Sequence, residues 1–257
     1  MSIESNLAGI NVYYSTHLTF ILETVISTMQ FWGYNTTFMG DGSIKAIKDR
    51  FRRSFFHSQE SKQEPFIGNK LEKINSQINQ KPETIKDHIL KMGLIYFFSL
   101  FEAFNKDYLQ ELYTFKPDLM KSKKRKVDLE FLLQFKNIED LHKSLAQNQI
   151  ERFGYLDIDK LARLILNKFN IALENNLVCW PNLRESYYRR NIIVHNDGKI
   201  SDIYLQKLSL GREQLNKELN CDIEYIWKSH YDILSYMDFF DDSIRKKFNL
   251  KSRLDSL

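Results

Sequence analysis

The chain has 257 residues, of which 43% are hydrophobic and 14% aromatic, with only 9 Gly and 4 Pro. That length buries a substantial core as one large domain or two small ones, and the scarcity of Gly and Pro excludes low-complexity and collagen-like chains. The formal net charge of +4 permits nucleic-acid binding without demanding it, and two cysteines, Cys179 and Cys221, offer neither a disulfide framework nor metal-ligand spacing.

Taken in chain order, the hydrophobic period is helical almost throughout. Residues from about 4 to 30 carry Leu7, Ile10, Val12, Tyr14, Leu18, Ile21, Leu22, Val25 and Met29 at helical spacing. Gly33 and then Gly40-Asp41-Gly42 mark a loop. A basic helix is expected over about 43–57, with Arg52 and Arg53 on it, and a polar linker over 58–66 ending at Pro65. A long helix is predicted from Pro82 to Tyr113, opened by Pro82 in its first turn and stopped by Pro117. Its stripe is Leu90, Leu94, Phe97, Phe98, Phe101, Phe104, Tyr108 and Leu112. Lys121 to Lys126, including Lys123, Lys124 and Arg125, reads as a charged connector with a possible part in steering RNA. Short helices follow over about 127–135, 138–151 and 157–169. Another starts after Pro181 and ends near Asp197-Gly198, where Gly supplies the cap, and a last helix runs from about Asp222 to Phe248. No run alternates strongly enough for a sheet, so the fold class is all-α.

No stretch is long and apolar enough to span a bilayer, because the run from Leu18 to Trp32 is broken by Glu23 and Gln30. The first residues show no basic region followed by an apolar core, so no signal peptide is expected, and the sparse cysteines suit a reducing cytoplasm. There is no phosphate-cradling glycine loop, no CxxC pair and no HExxH. Asp238, Asp241 and Asp242 share one face of the last helix. A solvated acidic face is the expected reading there, and no metal or other cofactor is assigned.

The segment Arg189-Arg190-Asn191-Ile192-Ile193-Val194-His195-Asn196-Asp197-Gly198 concentrates the chemistry. Asn191 and His195 are four apart and share a helical face, with Arg190 flanking it and the aliphatic triplet turned toward a core. A fixed guanidinium grips a phosphodiester, and an imidazole moves a proton near neutral pH. About one Arg-to-His spacing of this kind is expected by chance in such a chain. Arg52-Arg53-Ser54-Phe55-Phe56-His57 is a second match, but it lacks the asparagines and reads as a basic helical face that touches RNA phosphates at most. The plain alternative at 190–196 is an amphipathic helix end with a His favoured by the helix dipole. Glu102, in an apolar stretch, needs a partner: either Arg190, which it would orient, or Lys106 one turn on. Arg189 reads as a solvated or dimer-edge charge paired with Glu185.

Arg190-Asn191, three residues, then His195-Asn196 resembles the signature of the HEPN superfamily: Arg, four to six residues, His. The upstream Phe98-Ser99-Leu100-Phe101-Glu102-Ala103-Phe104 is similar to the long helix of several of its branches, and the order of helices agrees. The resemblance covers about residues 83–250 and leaves 1–80 as an additional N-terminal helical region of unassigned role. It implies a helical bundle that forms a homodimer with its motif helices face to face. The implied activity is a metal-independent endoribonuclease of a toxin–antitoxin or phage-defence system, with an antitoxin or other defence component as a possible partner. Arg190, His195 and Asn191 would be catalytic, with Asn196 and Glu102 in support. One branch carries Tyr two residues after the His; Asp197 stands there, so tyrosine-based control is not expected. Other members are catalytically silent modules that bind nucleic acid or protein, and that reading stays open beside an ordinary helical interaction protein.

Overall fold

The computed structural model describes residues 2–38, 82–121, 127–151 and 156–252, with side chains from 2–29 and from 86 onward. The expectations at Arg52, Arg53, His57, Lys123, Lys124 and Arg125 lie outside the described residues. Among those described the fold is all-α, with one isolated bridge between Lys199 and Glu218 in place of any strand.

Three long helices make the frame: α1 (Ile3–Phe38), α2 (Pro82–Phe115) and, at the end of the chain, a helix over Ile223–Phe248. Between them come α3 (Leu129–Leu132), α4 (Ile138–Glu151), α5 (Ile158–Phe169), α6 (Leu173–Asn176), α7 (Trp180–Asn196) and α8 (Asp202–Leu208), so the last is α9. Every apolar position of the α2 stripe named above is buried, from Leu90 to Leu112. Aromatic rings bind α2 to its neighbours. Phe101 meets Tyr236 of α9 at 4.8 Å between centroids, Tyr108 meets Phe240 at 5.1 Å, and Phe98 meets Tyr187 of α7 edge-on at 5.7 Å. Edge-on and tilted pairs of this kind add to plain burial.

The boundary expected near residue 80 falls between α1 and α2, outside the described residues. α1 itself joins the common core, burying Leu7, Leu18, Leu22 and Val25 against α2 and α9. Val12, grouped with that apolar face from its spacing, is 41% exposed, and the neighbouring Asn11 is buried instead, donating its side-chain amide to the Met237 carbonyl at 3.3 Å. α1 also runs through Gly33 to Phe38 rather than stopping near residue 30.

The ends of the later helices follow from local chemistry. Asp157, Ser201 and Asp222 cap α5, α8 and α9 by accepting from Lys160, Tyr204 and Tyr225 backbone N–H groups. α6 and α8 were not expected from sequence. They are four and seven residues long, too short to show a repeating apolar face.

Candidate functional site

α7 is set in place before its functional residues are reached. Trp180 and Leu183 are buried, Pro181 lies in the first turn, and the following turn is clamped on both flanks. On one side Asp159 of α5 accepts from Arg184 Nε at 2.6 Å, Tyr188 Oη at 2.8 Å and Lys207 Nζ at 3.1 Å. Burial alone would raise this carboxyl, but hydrogen bonds from Arg184, Tyr188 and Lys207 outweigh it and hold the group well below the usual carboxylate range. On the other side Glu185 accepts from Arg189 Nε at 2.8 Å and from the hydroxyls of Tyr204 and Tyr225, each at 2.6 Å. Burial first, then the Glu185 charge, push both phenols far up, so they stay protonated donors.

Arg189 therefore does pair with Glu185, as the spacing suggested, but it is not solvated. Its side chain is 15% exposed, lies 3.9 Å over the Tyr225 ring and donates to the Asn220 carbonyl at 2.8 Å. The charge is an internal tie between α7 and the start of α9.

Arg190, one residue on, turns toward α2. Its Nη2 stands 3.5 Å from Glu102 Oε1, and its Nη1 donates to Asn191 Oδ1 at 3.0 Å. Of the two partners weighed for Glu102, the ion pair across to α7 is the one present. The Arg190 Nε is buried and has no hydrogen-bond partner among the described residues. A guanidinium has five donors, so the fork is held at two corners while three donors, the buried Nε among them, remain unspent. Below the pair lies a cavity of about 30 Å³ edged by Glu102, Asn105 and Tyr187 and walled by Phe101 and Leu161, room for one or two waters. Burial, and then the charge of Glu102, raise the Tyr187 phenol, so it too stays protonated.

His195 stands in the last turn of α7 and is exposed. Ile192 below it is 5% exposed and anchors the turn, whereas Val194, expected to face the core with it, is 46% exposed because the helix has reached its free end. On a regular helix, five residues separate Arg190 and His195 by about 140° around the axis and about 7.5 Å along it. One chain thus presents the guanidinium and the imidazole on different sides of the same helix. Asn191, half-buried, belongs with Arg190. Asn196 donates its amide to the Lys199 carbonyl at 2.6 Å and closes the turn that follows.

That turn is built tightly. Asp197 takes the left-handed conformation (φ 51°), so the cap begins one residue before Gly198, which is itself at φ 77° and donates its N–H to the Ile192 carbonyl at 3.0 Å. Leu219 N–H reaches back to the Gly198 carbonyl at 3.1 Å, and Lys91 of α2 bridges Asp87 at 2.7 Å and Glu218 at 3.4 Å beside it. Lys91, Asp159, Glu185 and Lys207 were not singled out as site supports. Only Glu185, four residues before Arg189, left a signal in the local spacing.

Asp241 does not lie on a solvated acidic face: it is fully buried and accepts from Tyr108 Oη at 2.5 Å and Arg245 Nε at 2.9 Å. Burial raises the Cys179 thiol to about 11 and the Cys221 thiol to about 12, so neither is a thiolate at neutral pH. No helix among the described residues is long and apolar enough to cross a membrane. No family model, no curated protein and no solved structure matches the chain.

Proposed function

We propose that the protein is an endoribonuclease of HEPN type that cuts RNA without a metal, through Arg190 and His195. The observation that carries the reading is the holding of Arg190 by Glu102 and Asn191 while His195 stands open in the last turn of the same helix. A guanidinium fixed in this way grips a phosphate and stabilises the charge that builds on it during reaction. An open imidazole exchanges protons with a substrate near neutral pH.

The ribose 2′-oxygen attacks the adjacent phosphorus as its proton passes to an imidazole. The bond from phosphorus to the 5′-oxygen breaks, and that oxygen takes a proton. The products are a 2′,3′-cyclic phosphate and a 5′-hydroxyl, and DNA, lacking the 2′-hydroxyl, is spared. One chain presents Arg190 and His195 on different sides of α7, so the reading includes a homodimer in which two α7 helices face each other across one cleft. There one imidazole serves as base and the other as acid. The biological setting, a cytoplasmic toxin or phage-defence effector held in check by an antitoxin or another partner, rests on the resemblance of the 190–196 segment alone.

The burial of Arg190 against Glu102 also favours a second reading, a silent helical module in which the pair merely ties α7 to α2. Purified wild type and His195→Ala, incubated with total cellular RNA in EDTA, separate the two. Cleavage by wild type alone, leaving 2′,3′-cyclic phosphate ends, is expected. Equal cleavage by both proteins removes His195 from the mechanism, and no cleavage by either moves the protein to the silent class.

A further inference from the structure

A second feature lies on α5, away from the residues of the motif. The outward face of this helix carries Lys160, Arg163, Leu164, Asn167 and Lys168, spaced i, i+3, i+4, i+7 and i+8, so all five share one side. The opposite side, from Ile158 through Ile165 to Phe169, is buried. The outward face forms one wall of a groove of about 380 Å³, closed on the other side by α4 and the single turn after α2. That volume falls in the range of ligand-binding clefts.

The lining has one sign of charge. Lys160, Arg163 and Lys168 contribute three cations, and no carboxylate lines the groove among the described residues. Lys168 already donates to the Leu119 carbonyl at 2.7 Å, which fixes the far wall to α5. Lys160 and Arg163 are exposed, and neither side chain meets a carboxylate among the described residues. The nearest strong acid on α5, Asp159, is turned away and engaged by Arg184, Tyr188 and Lys207. Its charge is therefore neutralised elsewhere and does not offset the cations of the groove.

Leu156 lines the groove and also the small cavity beside Glu102 and Tyr187, but Ile158 and Leu161 of that cavity belong to the buried side of α5, so the two spaces lie on opposite sides of the helix and meet only at Leu156. Two cations one helical turn apart that meet no carboxylate among the described residues, over an apolar floor of Leu156 and Leu164, match a chain of phosphates with bases or sugars between them.

We propose that the groove between α4 and α5 binds the phosphate backbone of a single-stranded RNA. The proposal rests on the reading of the protein as a ribonuclease. Lys160 and Arg163 are its phosphate contacts, Asn167 adds a neutral donor, and Lys168 keeps the far wall in place.

The test measures binding apart from cleavage. Full-length His195→Ala is titrated into a fluorescein-labelled 12-nucleotide single-stranded RNA at several salt concentrations, and anisotropy is read. The same protein carrying Lys160→Glu and Arg163→Glu is expected to bind at least tenfold more weakly. Its salt dependence should be shallower by about 0.7 in log–log slope for each phosphate no longer neutralised. Should circular dichroism show that this variant melts early, Lys160→Gln with Arg163→Gln removes the charges without reversing them and carries the comparison. Unchanged affinity overturns the groove, and the nuclease reading survives that result if wild type still cleaves. Failure of the His195→Ala parent to bind RNA also overturns it, with the cleavage assay then judging the nuclease reading on its own. AMP binding as tightly as the 12-mer, and lost in the same variants, would make this a mononucleotide pocket and overturn the strand track.

Discussion

Arg190 and His230 show how far a side chain's surroundings decide its use. The Arg190–Glu102 pair is only partly desolvated, with the Glu102 side chain 40% exposed, and a pair of that kind contributes little to stability. Glu102→Gln is therefore expected to cost under about 1 kcal/mol in urea unfolding. If the carboxylate holds the guanidinium for a phosphate, the same variant loses tenfold or more in RNA cleavage. Cleavage unchanged in Glu102→Gln would show that the pair is structural. His230 is the contrasting case. It is 3% exposed, with its Nε2 3.3 Å from Thr19 Oγ1, its Nδ1 without a hydrogen-bond partner among the described residues, and the rings of Phe97 and Trp227 about it. Burial lowers its pKa to about 4, so the folded protein keeps it neutral where the unfolded chain, near 6.5, takes up a proton. The unfolded state then binds more protons, and stability falls as pH drops from about 6.5 toward 4. At pH 5 the loss is about 2 kcal/mol. His230→Gln should flatten this part of the profile, measured as urea midpoints at pH 7 and pH 5. An identical acid slope in both proteins would exclude His230 as its source.

At the scale of elements, α7 is held less by its own propensity than by what grips it. Asp159 accepts from three side chains on two helices, and removing it leaves the Tyr188 hydroxyl and a half-covered Arg184 without their partner. Asp159→Ala is expected to destabilise by about 3 kcal/mol, read from the denaturation midpoint, with the loss concentrated in the α5–α7–α8 contacts. A change below about 1 kcal/mol would mean that the network is replaced by water at little cost. This dependence explains what the sequence made visible. The stripe of α2 was legible because eight large apolar residues repeat over several turns with Pro82 before them and Pro117 behind. The starts of α5 and α9 fall within a residue of where the sequence places them, at about 157 and Asp222, since an acidic residue just before an apolar helical period is a local pattern. Asp159, Lys207, Tyr204 and Lys91 were not legible, because their partners are brought in by folding from up to 127 residues away. Val194 and Val12 were misplaced for a related reason. Spacing tells which residues share a face, and only packing tells which faces are covered.

For the whole molecule, the question is whether one chain is a complete unit. Among the described residues the two ends of the fold are tied: Arg245, 3% exposed, pairs with Asp241 and reaches the Glu4 carbonyl at 3.1 Å, fastening the end of α9 to the start of α1. The site is not tied together in the same sense, for Arg190 faces α2 while His195 stands open about 140° around the helix. The proposed chemistry needs a base and an acid, and His195 of one chain supplies one of them. A two-fold pairing of α7 helices would bring a second copy of each group to the same cleft. This makes a quantitative prediction that a single-chain site does not share. Wild type and His195→Ala are mixed in equal amounts, with subunit exchange verified by co-purification of differently tagged chains. About a quarter of the dimers then keep both imidazoles, so RNA cleavage should fall to about a quarter of the wild-type rate at the same total protein. Independent sites in each chain would leave about a half. Activity following the square of the wild-type fraction across several mixing ratios would require both histidines in one cleft. A straight line through the same points would place a whole site in each chain and remove the facing of two α7 helices from the mechanism.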